Sequence, residues 1–196
     1  MKTVVMSSER ADALIEERRR LDIGHLDECW EGVWHLTDPT RRHQQIASRL
    51  WRILSELIED TGRGAASISI NVTDREYDWI ENHRCPDATV ILVDNPGRWI
   101  GENEVAFLGG PDLIVEVMSP GDKTSEKLPF YESLGVKEVL IINQETGRPE
   151  IWRAGRPLAE RSGEPLRSEV TGLEFSQGLD RTLLVRDHPS GRTWQV

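Results

Sequence analysis

Pro111-Asp112-Leu113-Ile114-Val115-Glu116-Val117-Met118-Ser119-Pro120 is the stretch on which the fold turns. Five of the six residues from Leu113 to Met118 are apolar, and three of them are β-branched. Such a run predicts a strand buried on both faces, as in the interior of a parallel or mixed sheet. Glu116 stands in its middle. A buried carboxylate is costly unless it is paired or holds a metal, so this residue is the first functional signal in the chain.

Side chains alternate along a strand, which puts Asp112, Ile114, Glu116 and Met118 on one face. Asp112 and Glu116 are four residues apart, roughly 13 Å at strand rise, too far to chelate one ion. A partner for Glu116 must come from another element. Asp87 heads a second apolar run, Ala88-Thr89-Val90-Ile91-Leu92-Val93. Neighbouring strands lie only about 4.8 Å apart, so Asp87 on an adjacent strand can meet Glu116. After the Glu116 strand, a loop through Ser119 enters a helix running to about Leu134, and Lys127 in its first turn can swing back over the strand end. Ser119 is read as a helix cap or a phosphate contact. The structural alternative is that Glu116 and Lys127 form a buried ion pair with no chemistry attached.

These residues in this order, with Pro86 before Asp87, Glu116-Val117-Met118-Ser119, Lys127 and Tyr131 four apart, and Gly135-Val136 leading into an apolar strand, resemble the Uma-two family of restriction-endonuclease-like proteins within the PD-(D/E)XK nuclease superfamily. Glu31-Gly32 and His43 fit its pattern too. The resemblance covers about residues 27–153. It implies an α/β (α+β) fold with a mixed β-sheet core flanked by helices. It also implies Mg²⁺-dependent hydrolysis of DNA phosphodiesters, with Mn²⁺ able to substitute. Asp87 and Glu116 would hold the metal, helped by the Val117 carbonyl, and Lys127 would complete the catalytic set. His43 and Asp112 are additional site candidates. DNA is the implied substrate, and a homodimer would let two sites address two strands. The sequence departs from the superfamily in having Met118 where a lysine commonly stands; Lys127 takes that part from the helix. It departs from the family pattern at Val139-Leu140, in place of an aromatic pair, and at Asn143, in place of an acid. A catalytically inactive DNA-binding or assembly protein on the same fold is the alternative.

The 196 residues suggest a single domain, the nuclease-like core followed by a turn-rich extension over 154–196. Net charge is −10, which argues against loose electrostatic binding to nucleic acid and leaves room only for a local basic surface. Two cysteines, Cys29 and Cys85, are too few for a disulfide framework and lack zinc spacing. With no long apolar run and no signal-peptide pattern, a cytoplasmic location without a membrane span is expected.

Along the chain, a first helix ends in Arg18-Arg19-Arg20, read as a solvated helix end or a phosphate contact. Residues 29–36 read as a hairpin turning near Glu31-Gly32. Asp38-Pro39 reads as the start of a helix to about Asp60, with Ile46, Leu50, Ile53, Leu54, Leu57 and Ile58 inward at helical spacing. His43 falls on that inward face. Residues 66–73 alternate as one half-buried strand through Ile68, Ile70 and Val72. The long loop 94–110 is expected to flank the substrate. Strands follow at 138–143, 150–153 and 182–186.

Overall fold

The computed structural model describes residues 2–21, 24, 26–153, 155–157 and 164–196, with side chains from residue 12 onward except that of Arg19. In chain order the elements are β1 (Lys2–Ser7), α1 (Ser8–Arg20), β2 (Glu28–Trp30), β3 (Val33–Asp38), α2 (Arg41–Ile58), β4 (Gly64–Ile68), β5 (Asn71–Thr73), β6 (His83–Arg84), β7 (Ala88–Leu92), β8 (Arg98–Ile100), β9 (Ala106–Leu108) and β10 (Leu113–Met118). Then come α3 (Thr124–Ser133), β11 (Glu138–Asn143), β12 (Pro149–Arg153), β13 (Arg156–Pro157), β14 (Leu166–Arg167), β15 (Glu174–Gln177), β16 (Leu183–Asp187) and β17 (Arg192–Gln195).

β10 lies inside a six-stranded sheet of order β13-β12-β11-β10-β7-β4. It runs parallel to β11, with α3 as the crossover, and antiparallel to β7. Its two faces meet different layers. Leu113, Val115 and Val117 join the α2 stripe in the main core, together with Leu140, Ile142 and Ile151 of β11 and β12. Ile114 and Met118 turn the other way, into a second cluster with Tyr131, Leu128 and Phe130 of α3 and Val139 and Ile141 of β11. That double cover is why the run is apolar almost throughout. Glu116, in phase with Ile114 and Met118, is carried to the α3 side.

A seven-stranded sheet, β1-β3-β2-β6-β5-β9-β8, stands beside it. Its hairpin β2–β3 turns at Glu31-Gly32 with φ of 49° and 78°, the two positive angles that a type I′ hairpin turn uses.

Several expectations give way to tertiary context. Asp38 is the last residue of β3, paired with Lys2, so α2 is capped by Thr40, whose side chain accepts from the His43 amide. Residues 66–73 are not one strand: Ser69 adopts φ 53° and the chain passes from β4 in one sheet to β5 in the other. The loop 94–110 carries β8 and β9, and Asn95 ties its start to Asp112, at the opposite end of β10 from Glu116. The 154–196 segment is more than turns. β14 to β17 form a four-stranded antiparallel sheet, and Leu166, Leu173, Phe175, Leu183 and Val185 share the main core with α2. Glu138, buried at the head of β11, fastens this segment by accepting from Ser168 Oγ (2.6 Å), the Glu169 amide (2.8 Å) and Arg153 Nε (3.0 Å). Arg18 pairs with Asp27 at 2.7 Å and Arg20 is exposed; the Arg19 side chain lies outside the described residues. Among the described residues, no helix is long and apolar enough to cross a membrane.

Candidate active site

β7 ends its pairing with β10 at Ala88 opposite Val115, so Asp87 sits just beyond the last rung, beside Glu116 and Val117. Its Oδ2 accepts from the Val117 amide at 2.7 Å, which continues the ladder with a side chain. Val117 thus meets Asp87 through its N–H. The other oxygen, Oδ1, lies 2.7 Å from His43 Nε2. His43 is in the first turn of α2, turned inward as its spacing dictates, and its Nδ1 lies 3.3 Å from Ser119 Oγ.

Glu116 is met from α3. Lys127 Nζ donates to both carboxylate oxygens at 3.0 Å, and Tyr131 Oη, one turn on, donates to Oε1 at 2.5 Å. The i, i+4 spacing of Lys127 and Tyr131 places both on the strand-facing side of the helix. Lys127 has a second carboxylate partner, Glu28 of β2, with Nζ to Oε1 at 2.8 Å. Glu28 is fixed by the Cys85 amide (2.9 Å) and Trp30 Nε1 (2.8 Å). Behind it the Arg84 guanidinium is sandwiched, 4.6 Å from the Trp30 ring and 4.1 Å from Phe130 of α3.

Glu28, Asp87, Glu116, His43 and Lys127 therefore line one cleft, each 8% exposed or less. The cleft leaves about 20 Å³ open, room for one water-sized sphere. Glu28 was not singled out in the sequence. Glu31, three residues on, drew attention through Gly32 but is a turn residue paired with Arg75. Asp112 is on the same strand face as Glu116, yet outside the cleft. It binds the Leu92 amide, Asn95 and Lys137 at the far end. Burial would raise its pKa, but those three partners hold it below the usual carboxylate value. Ser119 does not cap α3. Asp122, just ahead of the helix, ties down the loop by accepting from the Thr124 amide at 3.0 Å and from the Ser119 amide.

Burial pushes the Glu116 carboxyl up to about 7, and the negative charges of Asp87 and Glu28 add to the rise against the pull of Lys127 and Tyr131. Burial acts on Glu28 in the same direction, but Lys127 together with the Cys85 and Trp30 donors leaves its pKa below the usual value. Burial would discharge Lys127; Glu116 and Glu28 overcome it and hold the ammonium firmly protonated.

Among the described residues, no three His, Cys, Asp or Glu side chains already form a metal cage. The charge of the cluster nevertheless suits a hard divalent cation. Three buried carboxyl groups face one ammonium, leaving negative charge that a cation at Asp87 and Glu116 would offset. Magnesium asks for one or two protein carboxylates and keeps several waters. The oxygen-only donors match that preference.

The mixed sheet flanked by helices is a fold shared with a solved structure described as a nuclease. A crystal structure titled as a putative nuclease belonging to DUF820, from Anabaena variabilis ATCC 29413, matches with TM-score 0.61 over 76% of this chain and 86% of its own. Identity between the two is 16%, so this likeness speaks for the fold alone. The family model Uma2, described as "Putative restriction endonuclease", matches residues 24–183. The chain belongs to that family. No curated protein matches it.

Proposed function

We propose that this chain is a divalent-metal-dependent DNA endonuclease that hydrolyses phosphodiester bonds. The observation that carries the reading is the burial of Glu28, Asp87 and Glu116 around Lys127, at the end of β10 where two sheets and α3 meet. A buried carboxylate without a compensating charge is costly, so an excess of acids over cations in so small a space calls for a cation. Asp87 and Glu116 would hold Mg²⁺, with Mn²⁺ as substitute. Bound there, the ion supplies a more acidic water and offsets charge on the phosphate.

The protein's own residues do the rest. His43 and the Val117 amide fix the Asp87 carboxylate in one orientation. Tyr131 and Lys127 do the same for Glu116. Lys127, kept protonated by its two acids, would be the donor that stabilises charge developing on a phosphate oxygen. A homodimer would present two such sites to two strands.

The test is cleavage of supercoiled and of single-stranded DNA with Mg²⁺ or Mn²⁺, by wild type, Glu116→Ala and Lys127→Ala, each checked for folding by thermal melt. Metal-dependent nicking that falls roughly a hundredfold or more in both variants is the expected result. No cleavage by folded wild type with either metal on either DNA would overturn the nuclease reading. A DNA-binding or assembly protein on the nuclease fold would then take its place.

A further inference from the structure

The net charge of −10 raises the question of where phosphate could be tolerated at all. Residues 41–52 of α2 give an answer. They contain Arg41, Arg42, Arg49 and Arg52 and no acid, and all four arginines are exposed. At 3.6 residues per turn these arginines and Gln45 fall within a sector of about 100°, with Arg41 and Arg52 turned from the buried stripe of Ile46, Leu50, Ile53 and Leu54 and Arg42 at the edge that borders it. The row is about 16 Å long. Among the described residues, none of the four has a carboxylate at ion-pair distance. Arg42 instead donates to the backbone carbonyls of Gln144 and Arg181, which steadies the guanidinium without neutralising it. Arg42 and Arg49 flank a recess of about 90 Å³. The row ends where Glu56, on the same face, is taken by Arg192.

Its other end is at the candidate site. His43, the neighbour of Arg42, reaches Asp87. Gln144, which Arg42 grips, donates its amide to Met118 O at 3.0 Å, at the Glu116 end of β10. No aromatic side chain shares the arginine face: Trp51 is turned aside, its indole N–H on Ala66 O at 2.9 Å. A row of cations without a stacking platform suits the sugar-phosphate backbone of a duplex better than splayed single-stranded bases.

We infer that the Arg41, Arg42, Arg49 and Arg52 face of α2 is the track that holds the phosphate backbone of duplex DNA alongside the helix end at which His43 meets Asp87. This rests on the nuclease reading above.

The experiment measures binding of a short fluorescent duplex in chelator-containing buffer across a salt series. It compares wild type, the triple variant Arg41→Gln/Arg49→Gln/Arg52→Gln, and Arg98→Gln as a charge control on β8. Arg42 is left in place because it bridges two carbonyls. Each lost phosphate contact removes about 0.9 from the slope of log K against log salt. The triple variant should therefore be flatter by about 2 to 3, with Arg98→Gln unchanged and all melts alike. A wild type that binds with the same slope as the triple variant overturns the track and leaves the nuclease reading standing. A wild type that cleaves duplex but loses binding equally through Arg98→Gln also overturns it, since bulk charge would then be the cause. Failure of wild type to bind or cleave any DNA removes both.

Discussion

Removing Lys127 would leave Glu28, Asp87 and Glu116 in one small buried space without their ammonium. Breaking a buried pair on one side typically costs about 3–5 kcal/mol. Lys127→Met should show a loss of that size in urea unfolding near neutral pH and above, and a smaller loss near pH 5, where Glu116 can take up a proton. The sign follows from Glu116 itself. Its carboxyl titrates at about 7 in the folded protein against 4.5 ordinarily, so the folded state binds the proton more tightly. The stability due to this group is complete below 4.5 and is lost as pH rises through 7. Glu116→Gln, which cannot ionise, should therefore gain on wild type steadily across that window. A difference that stays flat with pH would contradict the raised carboxyl. His35 runs the other way. Burial against Trp30, with ring centroids 3.8 Å apart, pushes its pKa down to about 4. Its share of stability is present above 6.5 and is lost as pH falls through 4. His35→Phe should lessen that acid sensitivity in the same unfolding series.

Among the elements, β10 was legible because its apolar run is covered on both faces, and α2 because its inward stripe keeps a 3.6 period. Asp87, Glu116 and Lys127 could be placed near one another from strand pairing and one helical turn. Glu28 could not. Its partners Cys85 and Lys127 lie 57 and 99 residues away in the chain, and nothing local separates it from a polar hairpin residue. Asp112 shares a strand face with Glu116, but the roughly 13 Å between them already put a shared ion out of reach, and its contacts to the Leu92 amide, Asn95 and Lys137 hold it at the far end of β10. Ser69 hides most completely, since a serine between isoleucines reads as ordinary strand. Its positive φ is where the chain changes sheets. That gives a test whose sign decides the matter. In a continuous strand Ser69→Val would stabilise; at a left-handed turn a β-branched residue should cost about 1–3 kcal/mol, measured by chemical denaturation.

At the scale of the whole molecule, the C-terminal sheet is part of the same core as α2 and β10, joined through Phe175, Leu173 and Val185 and anchored at Glu138. A polar, turn-rich composition concealed this, because four short strands each contribute only one or two inward residues. Ending the chain after Arg153 would expose Leu140, Ile142 and Ile151 and leave Glu138 without Ser168. Such a truncation should lose its cooperative thermal transition rather than merely melt lower. A sharp melt for the truncated chain would show that 2–153 folds independently.

The rung that Asp87 adds to β10 gives one carboxylate two occupations. It closes the strand edge by accepting the Val117 amide, and it faces the cleft. An alanine there would orphan a buried amide as well as remove an acid, so lost cleavage would have two causes. Asparagine keeps an acceptor for the amide while removing the charge. The Val117 amide proton itself becomes a built-in gauge: its hydrogen exchange should stay slow in Asp87→Asn and quicken in Asp87→Ala, separating the carpentry of the strand from the chemistry of the acid.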